Sequence, residues 1–470
     1  MQDNQITDLT VSQLGAHIES RAMSPIDVAH AFLGRIDTVE PKLNAFISRV
    51  DEHALEAAHD AENEIAGGHY RGVFHGIPVG LKDLFWTKGI RTTSGSQIDR
   101  DFVPREDAAA FSKLVKAGAY CIGKLHMTEY AFDGTSLNHH YGTAHNPWDT
   151  TRMAGGSSSG SGVAVASAQV PIALGTDTGG SVRVPASLCG ITGFKPTSGL
   201  ISRYGVTPLS WSMDHVGPLT KTVHDAAIAI NVMVGYDNRD AGSVQGSPSD
   251  YVSGLDKGMQ GVRIGVPREF IWDMLDPEVE QAFRTSISQM ESLGGIIEDL
   301  SVPALELVNA SGSVVQTAEA ATIHRSHVLK QGHLLDPVIR RRIESGMFIS
   351  AEAYIHAQQV RNKLRNELLK VMDRVDVIAT PTTSIVAPYI DQERVIIGGQ
   401  SVPVREALLR ITRVFSTVGF PAISVPCGFT EAGLPIGLQI VGKPLGEVLL
   451  LQVAHAYQKS TQWHLRRPAT

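Results

Sequence analysis

Only three cysteines, Cys121, Cys189 and Cys427, occur in 470 residues. They stand too far apart for a disulfide framework or a CxxC metal pair, so a reducing, cytoplasmic compartment is expected. There is no basic excess either: 41 Lys and Arg face 48 Asp and Glu, a net charge of −7. A dedicated nucleic-acid binder would carry a basic stripe instead. Every apolar stretch stops short of the roughly 18 residues a membrane helix needs, and no membrane association is expected. Met1-Gln2-Asp3-Asn4-Gln5 has neither the basic start nor the apolar run of a signal peptide. Glycine, by contrast, is abundant at 45 copies, and 43% of the residues are hydrophobic. A chain of this composition can fill a large core.

Elements follow from caps and periodicity. Thr10 precedes a helix with Leu14 and Ile18 on one side. Ser24-Pro25 opens another, with serine as N-cap, proline at the first helical position and Val28, Phe32 and Ile36 at helical spacing. Residues 54–65 form a third helical stretch. From Gly76 the texture changes to short apolar runs broken by glycine, as in buried strands and turns. The Asp-, Gly-, Ser- and Pro-rich stretch from Tyr236 to Gly258 reads as a surface loop. Beyond it come a strand at 262–266, a helix opened by Asp276-Pro277 and stopped by Gly294-Gly295, and a strand at 296–302. A helix over 353–372, with Ala357, Val360, Leu364, Leu368 and Val371 inward, feeds a strand at 375–379. Helices alternating with apolar runs predict an α/β fold: one large domain (1–470) with a central mixed β-sheet covered by helices. It divides into an N-terminal helical segment (1–70), a core (76–220) and a variable region (236–410).

Several residues could carry chemistry. His139, His140 and His145 lack the HExxH or Cys/His spacing of a metal site and read as loop histidines. Asp214-His215 could be two members of a Ser-His-Asp triad, although triads assemble in space and not in sequence. Gly156 to Gly160 formally matches G-x-S-x-G with Ser158 central, but no apolar strand leads into it. Lys82 closes the run Gly76-Ile77-Pro78-Val79-Gly80-Leu81. Such a lysine either snorkels out or pairs with Asp83, or it is desolvated and becomes a general base. Gly155 to Gly162 is rich in serine and glycine and would serve as a flexible loop or an anion nest. In Gly175 to Ala186, Gly179-Gly180 lets backbone N–H groups approach a ligand just before Ser181. That suits a nucleophile with a main-chain oxyanion hole, or a simple glycine turn with a capping serine.

Together these segments resemble the amidase signature family. The blocks Gly155 to Gly162 and GTDTGGSVRVPA carry the resemblance, with 75 residues between Lys82 and Ser157 and 24 between Ser157 and Ser181. Gly193-Phe194-Lys195-Pro196-Thr197, Gly217-Pro218-Leu219-Thr220 and Gly433 to Gln439 extend it over most of the chain. The resemblance implies a Ser-Ser-Lys triad: Ser181 as nucleophile, Ser157 as bridging serine after a non-proline cis peptide, and Lys82 as base. Backbone N–H groups of Thr178, Gly179, Gly180 and Ser181 would form the oxyanion hole, with Ser158, Asp177 and Arg183 in support. Neither a metal nor an organic cofactor is implied.

Within that family the chain is expected to be a stand-alone serine hydrolase. It would cleave the C–N bond of a small-molecule amide, anilide or carbamate without contacting nucleic acid, and homodimerisation is a family-based expectation. The variable region 236–410 would supply the substrate pocket, with Trp211 and the Met347-Phe348-Ile349 run as lining candidates. The alternative is the A subunit of the tRNA-dependent amidotransferase, which releases ammonia from glutamine within a complex charging tRNA. Against it, the acidic residue carried there about ten positions before Gly419 is replaced by Leu409-Arg410. Loss of a carboxylate removes a partner for a substrate ammonium and favours a less polar substrate.

Overall fold

Local chemistry places the N-terminal helices of the computed structural model, which describes residues 3–245 and 249–469. Thr10 and Gln13 cap each other reciprocally at the start of Val11–Glu19. The Ser24 hydroxyl accepts from Ile26 N–H ahead of Pro25–Leu43, and the third of the expected helices spans Asp51–Ala66. Asp276 likewise caps Pro277–Ser292. The long helix Ala351–Met372 buries Ala357, Leu364 and Leu368, but Met372 instead of the expected Val360 and Val371. Part of the loop expected from Tyr236 to Gly258 falls on residues 246–248, outside the described residues, as do Met1 and Gln2 of the N-terminal pentapeptide.

Eleven strands form the main sheet. In chain order they are β1 (Phe46–Arg49), β2 (Pro78–Lys82), β3 (Tyr120–Leu125), β4 (Ile172–Asp177), β5 (Thr192–Lys195), β6 (His215–Thr220), β7 (Arg263–Pro267), β8 (Ile296–Leu300), β9 (Val377–Pro381), β10 (Ala422–Phe429) and β11 (Pro435–Gly442). Their spatial order is β1-β3-β2-β4-β6-β5-β10-β11-β9-β7-β8. The sheet is mixed: β2 runs parallel to β3 and β4, β7 parallel to β8 and β9, and the remaining neighbours are antiparallel. Central strands such as β4, β5 and β6 are buried throughout, as expected where helices cover both faces. The chain is thus a single α/β domain with a large mixed sheet, as the alternation of elements predicts.

Several helices escaped the sequence reading, among them Val223–Met233, Val308–Ile323 and Glu447–Lys459, and one of them bears on the site. Val404–Val418 is a helix, nearly all of it buried, ended by Gly419 in the left-handed conformation. Its apolar positions Val404, Leu408, Ile411, Phe415 and Val418 follow helical spacing, so a signal was present. This helix packs against the turn that carries Ser181.

Candidate active site

Lys82 is the last residue of β2. Parallel pairing with β4 sets Gly80 opposite Ala173 and Leu81 opposite Leu174, so the carboxyl ends of the two strands lie side by side. That register brings Lys82 Nζ to the Thr176 hydroxyl at 2.9 Å and to Ser157 Oγ at 2.7 Å. Lys82 and Ser157 are fully buried. Among the described residues no carboxylate lies within ion-pair distance of Nζ. Burial therefore lowers the lysine from its ordinary 10.5 to about 7, a shift only partly countered by Asp214 and Asp177. The alternative pairing with Asp83 does not form. Asp83 faces Lys124 at 3.7 Å and accepts from Thr93.

The two serine segments are stitched together through their backbones. The Gly156–Ser157 peptide is cis, and a Cβ on Gly156 would sit 1.8 Å from the Thr135 carbonyl oxygen. Ser158 N–H donates to the Ser181 carbonyl at 3.3 Å, while its hydroxyl donates to Thr176 O at 3.2 Å. Gly180 has φ +137° and lies so close to Thr412 that a Cβ would meet Thr412 Oγ1 at 2.1 Å. The same hydroxyl donates to Gly179 O at 2.8 Å. Among the described residues, the N–H groups of Thr178, Gly179, Gly180 and Ser181 donate to no protein acceptor. Four such donors in succession can hold a developing oxyanion. Ser181 keeps 5% exposure where Ser157 and Lys82 have none, which leaves Ser181 the member of the trio that touches solvent.

Asp177 and Arg183 brace this turn. Arg183 donates twice to Asp177, from Nε and Nη2, both at 2.9 Å. It also donates to Gln439 and to the Ser416 hydroxyl, and that hydroxyl donates to Asp177 Oδ1 at 2.8 Å. Burial alone would raise the Asp177 carboxyl, but the Arg183 guanidinium holds it well below the usual carboxylate range. Asp214 and His215 do not form a triad with a serine nucleophile. Asp214 accepts from the Thr178 hydroxyl at 2.6 Å and from Leu209 and Ser210 N–H. His215 Nδ1 lies 3.0 Å from Asp177 O. His140 and His145 are spent on Glu129 and on the Thr150 carbonyl.

Sequence reasoning gave no role to Thr176, although it lies within the quoted Gly175 to Ala186 block, nor to Thr412, Ser416 and Gln439, which are brought in from distant segments. It also expected a less polar pocket on the strength of Leu409-Arg410. Leu409 does pack on Gly134, and Arg410 turns away onto the Phe270 ring at 3.9 Å. But Arg413, one turn further, puts its Nε 3.6 Å from where a Gly179 Cβ would be. Of the lining candidates, Trp211, Met347 and Ile349 border a 550 Å³ cavity, whereas Phe348 is 89% exposed.

Comparison with known proteins assigns the class. The Amidase family model matches residues 27–451, and the chain belongs to this family, the amidase signature enzymes, which act on amide C–N bonds. Among curated relatives, the A subunit of glutamyl-tRNA(Gln) amidotransferase from Geobacter sp. strain M21 is 39% identical, with 98% of this chain and 99% of the relative aligned. Among solved structures, one from a vestigial protein complex, described as revealing the evolutionary origins of an s-triazine catabolic enzyme, superposes with TM-score 0.93 at 35% identity. It covers 96% of this chain and 98% of that one. The A subunit of glutamyl-tRNA(Gln) amidotransferase from Thermotoga maritima gives 0.78 at 33% identity, covering 98% and 94%.

These relatives correct the expected partners. A small-molecule amide or carbamate with no nucleic acid involved does not fit a chain that aligns end to end with amidotransferase subunits named for glutamyl-tRNA(Gln). The expectation gave one substituted carboxylate more weight than similarity spread along the whole sequence. Among the described residues no helix is long and apolar enough to cross a membrane.

Proposed function

We propose that this chain is the amide-cleaving A subunit of an amidotransferase that acts on glutamyl-tRNA(Gln). In this reading Ser181 Oγ attacks the carbonyl of an amide donor such as glutamine. Its proton passes to Ser157, which gives its own to neutral Lys82. The N–H groups of Thr178, Gly179, Gly180 and Ser181 hold the oxyanion, and Ser158, Asp177 and Arg183 keep the turn in place. Reversal of the relay protonates the departing nitrogen, ammonia leaves, and water then releases the acyl group from Ser181. The ammonia is consumed at the glutamyl-tRNA in the assembled enzyme. Residues 236–410 contribute substrate-pocket wall, a role supported by Leu409, which packs on Gly134, whose carbonyl accepts from Gly156 N–H at 2.8 Å.

The observation that carries the hydrolytic half is a buried lysine, lowered to about 7, standing 2.7 Å from Ser157 Oγ. The whole-length match to amidotransferase A subunits supports the other half. The test measures ammonia release from glutamine and amidation of glutamyl-tRNA(Gln), by the chain alone and with the remaining subunits of such an enzyme. Amidation that requires the chain and vanishes with Ser181→Ala is expected. Amide hydrolysis that proceeds fully without partners, with no amidation in the reconstituted mixture, would overturn the assignment.

A further inference from the structure

The face of the Val404–Val418 helix that meets the site carries Arg405, Leu409 and Arg413 at intervals of four. Arg405 reaches Asp133 at 3.4 Å, Leu409 packs on Gly134 and Arg413 lies beside Gly179. Arg413 is 3% exposed. Its Nη1 donates to the Ser313 hydroxyl at 3.1 Å, but its Nε and Nη2 have no partner among the described residues. A buried guanidinium with two orphaned donors is costly unless a ligand completes it. Nearby charges do not complete it. Arg342 also reaches Asp133, at 3.1 Å, so one carboxylate serves two guanidinium groups. Glu406 acts on Arg413 as well, against Arg405 and Arg342. Burial, reinforced by Arg405, accordingly lowers Arg413 to about 9. Three cations against two carboxylates leave this wall one negative charge short.

We propose that Arg413 binds a carboxylate on the acyl side of the amide donor, and that the donor is an ω-amide with a short acyl chain ending in that carboxylate. The planar fork of Nε and Nη2 matches a carboxylate in bidentate fashion. Its position beside Gly179 places that carboxylate a short chain away from a carbonyl held over Ser181. Leu409, an apolar side chain beside Gly134, offers no partner for an α-ammonium group, so the carboxylate and not the ammonium is what the wall selects. This inference rests on the reading of Ser181 as nucleophile.

Two measurements keep it separate from that reading. Hydrolysis by the full chain is compared for glutaramate, glutamine and the uncharged valeramide. The kcat/KM for glutaramate should match or exceed that for glutamine and exceed that for valeramide about 100-fold. In Arg413→Met, or in Arg413→Lys if the former does not fold, the preference for glutaramate over valeramide should fall at least tenfold. Calorimetric binding of glutarate to Ser181→Ala should survive, and should weaken at least tenfold when Arg413→Met is added. Equal turnover of valeramide and glutaramate, a strong preference for glutamine over glutaramate, or glutarate binding indifferent to Arg413 would overturn the proposal. If Ser181→Ala still hydrolyses amides while glutarate binding depends on Arg413, the nucleophile reading fails and the carboxylate site stands.

Discussion

Arg183 and Arg413 are both buried, and both adjoin the loop from Thr178 to Ser181, yet they are provided for in opposite ways. Arg183 has Asp177, Gln439 and Ser416 as acceptors. Arg413 has one hydroxyl, and two of its donors lack an acceptor among the described residues. The first pattern is architecture: removing either partner would strand a buried charge. The second suits recognition of an anion. Satisfaction of hydrogen bonds, and not burial or residue type, separates the brace of the site from its proposed recognition surface.

The largest effect expected is on chemistry. Ser181→Ala and Lys82→Ala should each lower kcat/KM for amide hydrolysis by about 10,000-fold or more while leaving the far-UV circular dichroism of the fold intact. Near-native turnover in either variant would dissolve the distinction between a catalytic floor and a binding wall. Next comes stability, measured as urea midpoints at pH 7.5. Arg183→Met leaves Asp177 buried and unpaired and should cost about 3–5 kcal/mol. Arg413→Met removes a charge with little compensation and should be neutral or stabilising by about 1 kcal/mol. Equal losses in the two variants would break the comparison.

The most gradual effect is a pH slope. Lys82 acts as a base only when neutral, so kcat/KM should rise through about pH 7 and level off above it. Its folded pKa lies below the unfolded value of 10.5, so between about 7 and 10.5 the unfolded chain binds the extra proton. Stability attributable to this residue therefore rises with pH across that window, and the penalty is complete below it. Urea midpoints for wild type and Lys82→Met should converge as pH rises toward 10. Parallel curves would contradict the lowered pKa.

Much of the fold was legible because its signals are local. Ser24-Pro25, Asp276-Pro277 and Gly294-Gly295 mark helix ends through contacts within a few residues, and all three lie at helix ends in the structure. The three strands expected at 262–266, 296–302 and 375–379 lie within two residues of those bounds, at Arg263–Pro267, Ile296–Leu300 and Val377–Pro381. The Val404–Val418 helix was overlooked even though its apolar positions follow helical spacing with Arg405, Arg410 and Arg413 between them. Arg410 and Arg413 are buried for reasons that no short window of sequence contains.

The glycine-and-serine blocks and their spacing to Lys82 specify which atoms can do chemistry, because turn geometry and oxyanion donors are properties of the local backbone. Whether Lys82 is a surface cation or a base near 7 depends on the β2–β4 register and on burial by the whole sheet. Whether an arginine is brace or receptor depends on acceptors 233 and 256 residues away for Arg183. For Arg413 it depends on Ser313, 100 residues away. Desolvation and hydrogen-bond completion are set by everything that packs around a group, and only the folded chain brings those neighbours together.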